Sequence, residues 1–187
     1  MGRVFKCTYQ GKEVALKVVC GEEHGLRLRQ EYERYRHLEN LDCVASVVTE
    51  PVSLLNGLGC AICISPVGQA MSQLRPLSRK IIKKAFESLE GLHAAGVSHG
   101  DARLENLIVV SRSAKWIDFI DVLLHPYTDY VRRDWETIIR SILQLRHDAP
   151  IPAKIEEAIA EYLKKKDVDM LLDVVSHGLA IEQKQCL

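Results

Sequence analysis

The sequence predicts an α+β chain in two parts: a small sheet-rich lobe over residues 1–66 and a mostly helical lobe over residues 67–187. Three observations predict it. The first 66 residues carry β-branched and aromatic runs broken by glycine-containing turns, with one charged helical stretch among them. From residue 78 onward apolar residues recur mainly at three and four. Between the two patterns, Pro66-Val67-Gly68 punctuates the chain.

Each element follows in order. FKCTYQ and EVALKVV flank the polar turn Gly11-Lys12 and predict a hairpin. Residues 22–39 are charged, with Leu26, Leu28, Tyr32, Tyr35 and Leu38 at helical spacing, so an amphipathic helix is expected. Residues 44–51 and 58–66 read as two more strands around Asn56-Gly57-Leu58-Gly59. Residues 78–95 carry Ile81, Ile82, Ala85, Phe86, Leu89 and Leu92 on one face, with Ser78 as N-cap and Gly96 as stop. VSHGDARLENLIVV is a polar loop entering a short strand, SRSAK a turn, and WIDFI a second strand. Helices are expected over 133–145, around Ile155 to Leu163 after the break at Pro150-Ile151-Pro152, and over 168–179.

Composition narrows the function classes. The chain has 187 residues, 47% of them hydrophobic and 27% charged, the balance of a folded globular protein rather than a disordered one. Its 25 basic residues equal its 25 acidic ones, which argues against nucleic-acid binding, since a duplex binder needs a basic surplus. The longest apolar runs, such as residues 107–110, fall far short of the roughly 20 residues of a membrane-spanning helix. MGRVFKCTYQGKE has no apolar signal core, and Lys6 stands where a myristoylation signal wants Ser or Thr. No membrane association is expected, and the location expected is cytoplasmic or nuclear. The six cysteines (7, 20, 43, 60, 63, 186) then read as reduced, mostly buried thiols, and the CxxC of Cys60 and Cys63 has no second ligand pair to make a zinc site.

The segment His99-Gly100-Asp101-Ala102-Arg103-Leu104-Glu105-Asn106 carries the most chemistry. It sets a carboxylate and a carboxamide five apart in a loop. Asp118 follows twelve positions after Asn106, at an expected strand end. Two hard oxygen ligands and a separate carboxylate suit Mg²⁺-assisted phosphoryl transfer, in which one Asp orients the attacking hydroxyl. Such a site also needs a strand lysine for the phosphates, supplied by Lys17, and a helix carboxylate to fix it, supplied by Glu31 or Glu33. Each residue has a plainer explanation when taken singly. Lys17 is then a solvated strand lysine, Glu31 and Glu33 part of a wet helix face, and Asp101, Asn106 and Asp118 turn residues, with Asp121 a rival for the last.

Taken jointly, the motifs resemble those of a protein-kinase-like domain. Val14-Ala15-Leu16-Lys17 resembles the kinase VAIK motif, HGDARLEN resembles HRDLKPEN, and Ile117-Asp118-Phe119 resembles Asp-Phe-Gly, in the family's order over residues 2 to 145. The resemblance implies a two-lobed fold, ATP and Mg²⁺ as cofactors, and transfer of the γ-phosphate to a protein hydroxyl in the Ser/Thr-kinase manner. It implies Asp101 as catalytic base and Arg103 as the cation on the transferred phosphate. Gly2, Val4, Lys17, Glu31, Ser65 and Val67 would contact the nucleotide, with residues 65–68 as the hinge over the adenine, and Asn106 and Asp118 would hold the metal. Glu31 takes the pairing role because Tyr35 and Leu38 then match the family's next apolar positions. Asp134 resembles the buried Asp that holds the catalytic loop from below.

The pattern departs at three places. Only the tail of the Gly-rich loop is matched, by Gly2 and Val4, and the chain is short at both ends against the family pattern. Asp-Phe-Gly has become Asp-Phe-Ile120, and Ile resists positive φ. Gly100 replaces the arginine of HRD, Asp134 follows Phe119 by only 15 positions, and no Ala-Pro-Glu motif follows. A constitutive geometry without loop-phosphorylation control is therefore expected. Two alternatives stand beside the protein kinase: a pseudokinase or fragment acting as a binding module, and a small-molecule kinase of the aminoglycoside or choline type, suggested by His-Gly-Asp.

Overall fold

The computed structural model describes residues 2–111, 113–146 and 148–185, with side chains through Leu179. The chain is α+β, with a sheet-rich region followed by a region holding four of the five α-helices among the described residues. Strands β1 (Arg3–Tyr9) and β2 (Lys12–Cys20) form the hairpin, followed by helix α1 (Glu22–His37), β3 (Ser46–Val47), β4 (Val52–Leu54) and β5 (Gly59–Ser65). The sheet order is β1-β2-β5-β3, all antiparallel, with β4 also on β5. Gln10 and Gly11 turn the hairpin with φ of 49° and 75°, so the turn lies one residue earlier than the sequence suggests and Lys12 already pairs with Tyr9. Positive φ at both central residues matches the twist of a two-residue hairpin. The strand expected over 44–51 shrinks to Ser46–Val47, because residues 43–45 leave the sheet and bond to Trp116 instead: Trp116 N–H donates to Cys43 O (2.7 Å) and Ala45 N–H to Trp116 O (3.0 Å).

The second region contains β6 (Gln69–Ala70), α2 (Arg79–Ala94), β7 (Val97–Ser98), β8 (Leu107–Val110), β9 (Ser113–Trp116), β10 (Leu123–Leu124), α3 (Thr128–Leu143), α4 (Ala153–Lys165) and α5 (Val168–Gln185). Strands β6, β8 and β9 form one small sheet, and β7 pairs with β10. Ser78 caps α2, its Oγ accepting the Ile81 N–H at 3.4 Å, and Gly96 follows the helix with φ of 73°. The strand expected over WIDFI stops at Trp116, and residues 117–119 belong to no strand, with Asp118 in a left-handed backbone conformation. Of the turn expected over SRSAK, Ser111 is in a turn and residues 113–115 already belong to β9; Arg112 lies outside the described residues, as do His147 and Cys186. Helix α3 begins five residues before the expected 133, since its first turns (Asp129, Tyr130) are too exposed to show apolar periodicity. No described helix is long and apolar enough to cross a membrane.

One hydrophobic cluster runs through both regions, from Val19, Leu28 and Tyr35 to Phe86, Trp135 and Leu172. Within it sits a carboxylate. Asp134 on α3 is 1% exposed and accepts four hydrogen bonds: from His93 Nε2 (3.0 Å), Ser98 Oγ (2.8 Å), His99 N–H (2.8 Å) and Gly100 N–H (3.0 Å). Burial by itself would raise its pKa. The hydrogen bonds from His93, Ser98 and His99 outweigh that and hold it below the usual carboxylate value. His99 is equally buried. Its Nε2 lies 3.0 Å from Ile117 O and its Nδ1 accepts the Asp101 N–H at 3.3 Å, which assigns the neutral ring with the proton on Nε2. Burial pushes its pKa below 6.5, against the pull of Asp134.

Both shifts are downward, so both groups bind fewer protons folded than unfolded and favour the fold above their unfolded pKa values. Stability is expected to hold near neutral pH and to fall on acidification below about pH 6.5 as unfolded His99 protonates, then again as Asp134 protonates near the acid end. Urea denaturation across this range checks it. His99→Phe should remove the first decline and leave the second.

Candidate active site

A cavity of about 570 Å³ lies between the sheet, α1 and the strand pair β8/β9. Its apolar wall is built by Val4, Ala15, Val19, Ile64, Ile108 and Ile117. Strand alternation explains the choice: Ala15, Lys17 and Val19 share one face of β2 and bring a lysine into an otherwise apolar row. That volume is in the range of small-molecule sites.

Lys17 is only 15% exposed in its side chain. Its Nζ meets Glu31 Oε2 at 2.6 Å and Asp118 Oδ1 at 2.9 Å. Glu31 is fully buried, and its second oxygen, Oε1, has no partner among the described residues. Glu31, not Glu33, meets the lysine, since only the face of α1 that carries Leu28, Glu31 and Tyr35 turns inward. Burial alone would lower the Lys17 pKa. The two carboxylates outweigh it, so the amine stays charged. Burial raises the Glu31 pKa against the pull of Lys17.

Asp118 lies in the cavity wall and Asp121 does not. Asp118 takes a left-handed backbone, φ 68°, so the strained position of the Asp-Phe-Ile segment is its first residue and Ile120 is spared positive φ. Asn106 also lines the cavity. Its Nδ2 donates to the Asp101 carbonyl (3.0 Å) and to Asp101 Oδ2 (2.9 Å), which assigns the amide and leaves its carbonyl oxygen Oδ1 as the free acceptor. Arg103 Nη2 reaches the same Asp101 Oδ2 at 2.7 Å in a half-exposed pair. Asp101 and Arg103 do not line the cavity and join it through Asn106.

Gly100 fixes the approach of this loop. Its φ is 81°, and a Cβ there would lie 2.2 Å from the carbonyl oxygen of Asp121. No side chain fits there, so the position requires glycine.

Of the remaining nucleotide-contact expectations, Gly2, Val4 and Val67 line the cavity and Ser65 does not. Ser65 pairs with Ser46 at the end of β5, one residue past the inward-facing Ile64, and alternation turns it away. Lys6, His24, Arg27 and Ile120 line the cavity too, and no sequence motif singles them out for it. Lys6 and Arg27 are held only in exposed pairs with Glu13 (2.7 Å) and Glu23 (2.8 Å), which ligand anions can displace readily. Tyr35 was foreseen as an apolar helix position. Its hydroxyl accepts the Asp118 N–H at 2.9 Å, a role signalled only by the rule that a buried tyrosyl oxygen finds a partner.

Among five described cysteines, Cys60 and Cys63 are buried, Cys7 and Cys43 half-buried and Cys20 exposed, so the thiols are less uniformly buried than expected. No group of three or more His, Cys, Asp or Glu side chains that could cage a metal exists among the described residues. The donors that suit Mg²⁺ are the Asp118 carboxylate and Asn106 Oδ1, hard oxygens in the number that suffices when phosphate oxygens complete the shell. No family model matches the chain, and no curated protein matches it.

Gly100→Ala is expected to destabilise the fold by about 3 kcal/mol or more, from positive-φ strain plus a clash with backbone that cannot give way. Chemical denaturation measures it. A loss under about 1 kcal/mol would mean the loop relaxes freely and is not pinned as described.

Proposed function

We propose that the protein is an ATP- and Mg²⁺-dependent phosphotransferase of protein-kinase-like fold, acting on a protein hydroxyl. The observation that carries this reading is the convergence of residues far apart in sequence: Lys17, Glu31 and Asp118 in one ion cluster, with Asn106 at the same cavity and Asp101 bonded to it. Asp134 beneath the loop and the one-helix sheet region over a helical region fit the same reading.

The residues divide the work by chemistry. The apolar wall accommodates a flat ring and excludes water. Lys17, kept cationic by its two carboxylates, orients phosphate oxygens. Asp118 and Asn106 Oδ1 would hold the metal, which when bound screens the charge of the phosphates and of the leaving group. Asp101 accepts the proton of the attacking hydroxyl through a carboxylate aimed by Asn106. Arg103, at 2.7 Å from that carboxylate, is a cation for the transferred group.

Thermal denaturation with ATP and Mg²⁺ tests the site: ligand at about 100 times its Kd should stabilise by roughly 2.7 kcal/mol. Phosphate transfer to a basic protein substrate should then be lost in Asp101→Asn while the thermal shift persists. Transfer to amino sugars or choline instead would favour the small-molecule kinase, and a shift without any transfer the binding module. No shift with any nucleotide would sink the proposal.

A further inference from the structure

Helix α1 does more than present Glu31. Its next turn grips the segment that carries Asp118 by two side-chain-to-backbone hydrogen bonds. Tyr35 Oη accepts the Asp118 N–H at 2.9 Å, and Arg34 Nη1 donates to the Phe119 carbonyl at 3.0 Å. Tyr35 is fully buried, and burial keeps its hydroxyl neutral, an acceptor with no charge to repel the Asp118 carboxylate. The Phe119 ring packs edge-on against it, with centroids 5.1 Å apart at 86°.

The segment needs holding. Asp118 has φ of 68°, a conformation that L residues adopt at a cost and that persists only where surroundings over-determine it. Here the N–H before the side chain, the carbonyl after it and the carboxylate itself are each tied, to Tyr35, Arg34 and Lys17. Two of the three ties come from consecutive residues of α1.

We infer that Arg34 and Tyr35 form a clamp through which α1 sets the position of the Asp118 carboxylate, making both of them positioning residues for divalent-cation binding. This rests on the reading of Asp118 as a metal ligand. Arg34 is not part of the cavity wall, and Tyr35, which is, has no exposed surface. Both act through the backbone of Asp118 and Phe119. By reciprocity, a cation that fixes Asp118 also fixes α1.

The test uses the full chain with Tyr35→Phe and Arg34→Gln, the second at a half-buried site that leaves the core intact should the first fold poorly. Amide hydrogen exchange of the free protein is read across residues 117–121. ADP affinity is titrated with and without Mg²⁺. The clamp requires faster exchange over 117–121 in both variants with no change in α3. It also requires Mg²⁺ binding to the ADP complex to weaken by roughly fivefold, the effect of one net hydrogen bond, while Mg²⁺-free ADP affinity stays within about twofold. Unchanged exchange overturns the clamp. Faster exchange with unchanged Mg²⁺ affinity, or with equal losses in the presence and absence of Mg²⁺, overturns the positioning role and leaves a merely structural one. A wild-type protein that binds neither ADP nor Mg²⁺ defeats the phosphotransferase reading and this inference together, whereas a wild type that binds both, beside variants that bind equally well, defeats this inference alone.

Discussion

The buried carboxylate of Asp134 is the constraint on which the rest of the loop geometry depends. A carboxylate placed in an apolar core is heavily destabilised unless its oxygens are engaged. Here both are, and the donors come from two pieces of chain: His93 from α2, and the Ser98 hydroxyl with the backbone N–H groups of His99 and Gly100 from β7 and the loop after it. Meeting that demand draws the chain after β7 down onto α3. Once His99 and Gly100 N–H both point at Asp134, Gly100 is driven into its left-handed conformation beside Asp121, and Asp101 emerges on the opposite side, toward Asn106. The placement of Asp101 is thus the downstream result of a core electrostatic requirement.

A second constraint is the charge count around Lys17. One ammonium faces two carboxylates at 2.6 and 2.9 Å, so the cluster carries an excess negative charge. Asp101 adds another carboxylate, balanced by Arg103. At an effective dielectric of about 20, a unit charge at 4 Å is worth roughly 4 kcal/mol. A polyphosphate alone would meet carboxylates it cannot neutralise. Under the proposed reading, a divalent cation held by Asp118 and Asn106 would offset the carboxylates that face the phosphates and would let Lys17 pair with phosphate as well. The same arithmetic explains why Lys6 and Arg27, held only in exposed pairs at the cavity wall, suit an anionic ligand.

Much of this was legible in the sequence, and what was not has identifiable causes. Helices α1 and α2 follow from local pattern because one face of each is buried and the other wet, the hairpin follows from its turn, and β5 follows from an apolar run that is buried on both faces. Asp101, Asn106 and Asp118 were legible as polar residue types in loops, and Lys17 and Asp134 as charges set among apolar neighbours within a strand and a helix. Glu31 could not be told from Glu33 by local pattern alone, since two charges on one helix differ only in which side meets the sheet. Ser65 lies outside the cavity wall, and a hinge position does not reveal which way strand alternation turns the side chain of its last residue. The Tyr35 hydroxyl and the Arg34 guanidinium bond to backbone more than 80 positions away, and no local pattern encodes a partner at that distance. The start of α3 escaped because its first turns are exposed and show no period.

The packing between the two regions also decides which part of the molecule can move to admit a ligand. From α1 an unbroken line of rings crosses the junction: Tyr35 to Phe119 (5.1 Å), Phe119 to His99 (5.0 Å) and His99 to Trp116 (4.8 Å). Trp116 in turn exchanges backbone hydrogen bonds with residues 43 and 45 of the sheet region. Rotating the two regions apart would break ring contacts, the Tyr35 and Arg34 bonds and the Lys17–Asp118 pair at once. Strand β1, by contrast, pairs with β2 alone and leaves Val4 and Phe5 well exposed. It carries Val4 and Lys6 of the cavity wall, with Gly2 just before it. Displacing it would cost one row of exposed pairing and little apolar burial, so β1 is the part of the cavity wall least tied to the rest, while α1 and the Asp118 segment are tied to each other by ring contacts and hydrogen bonds.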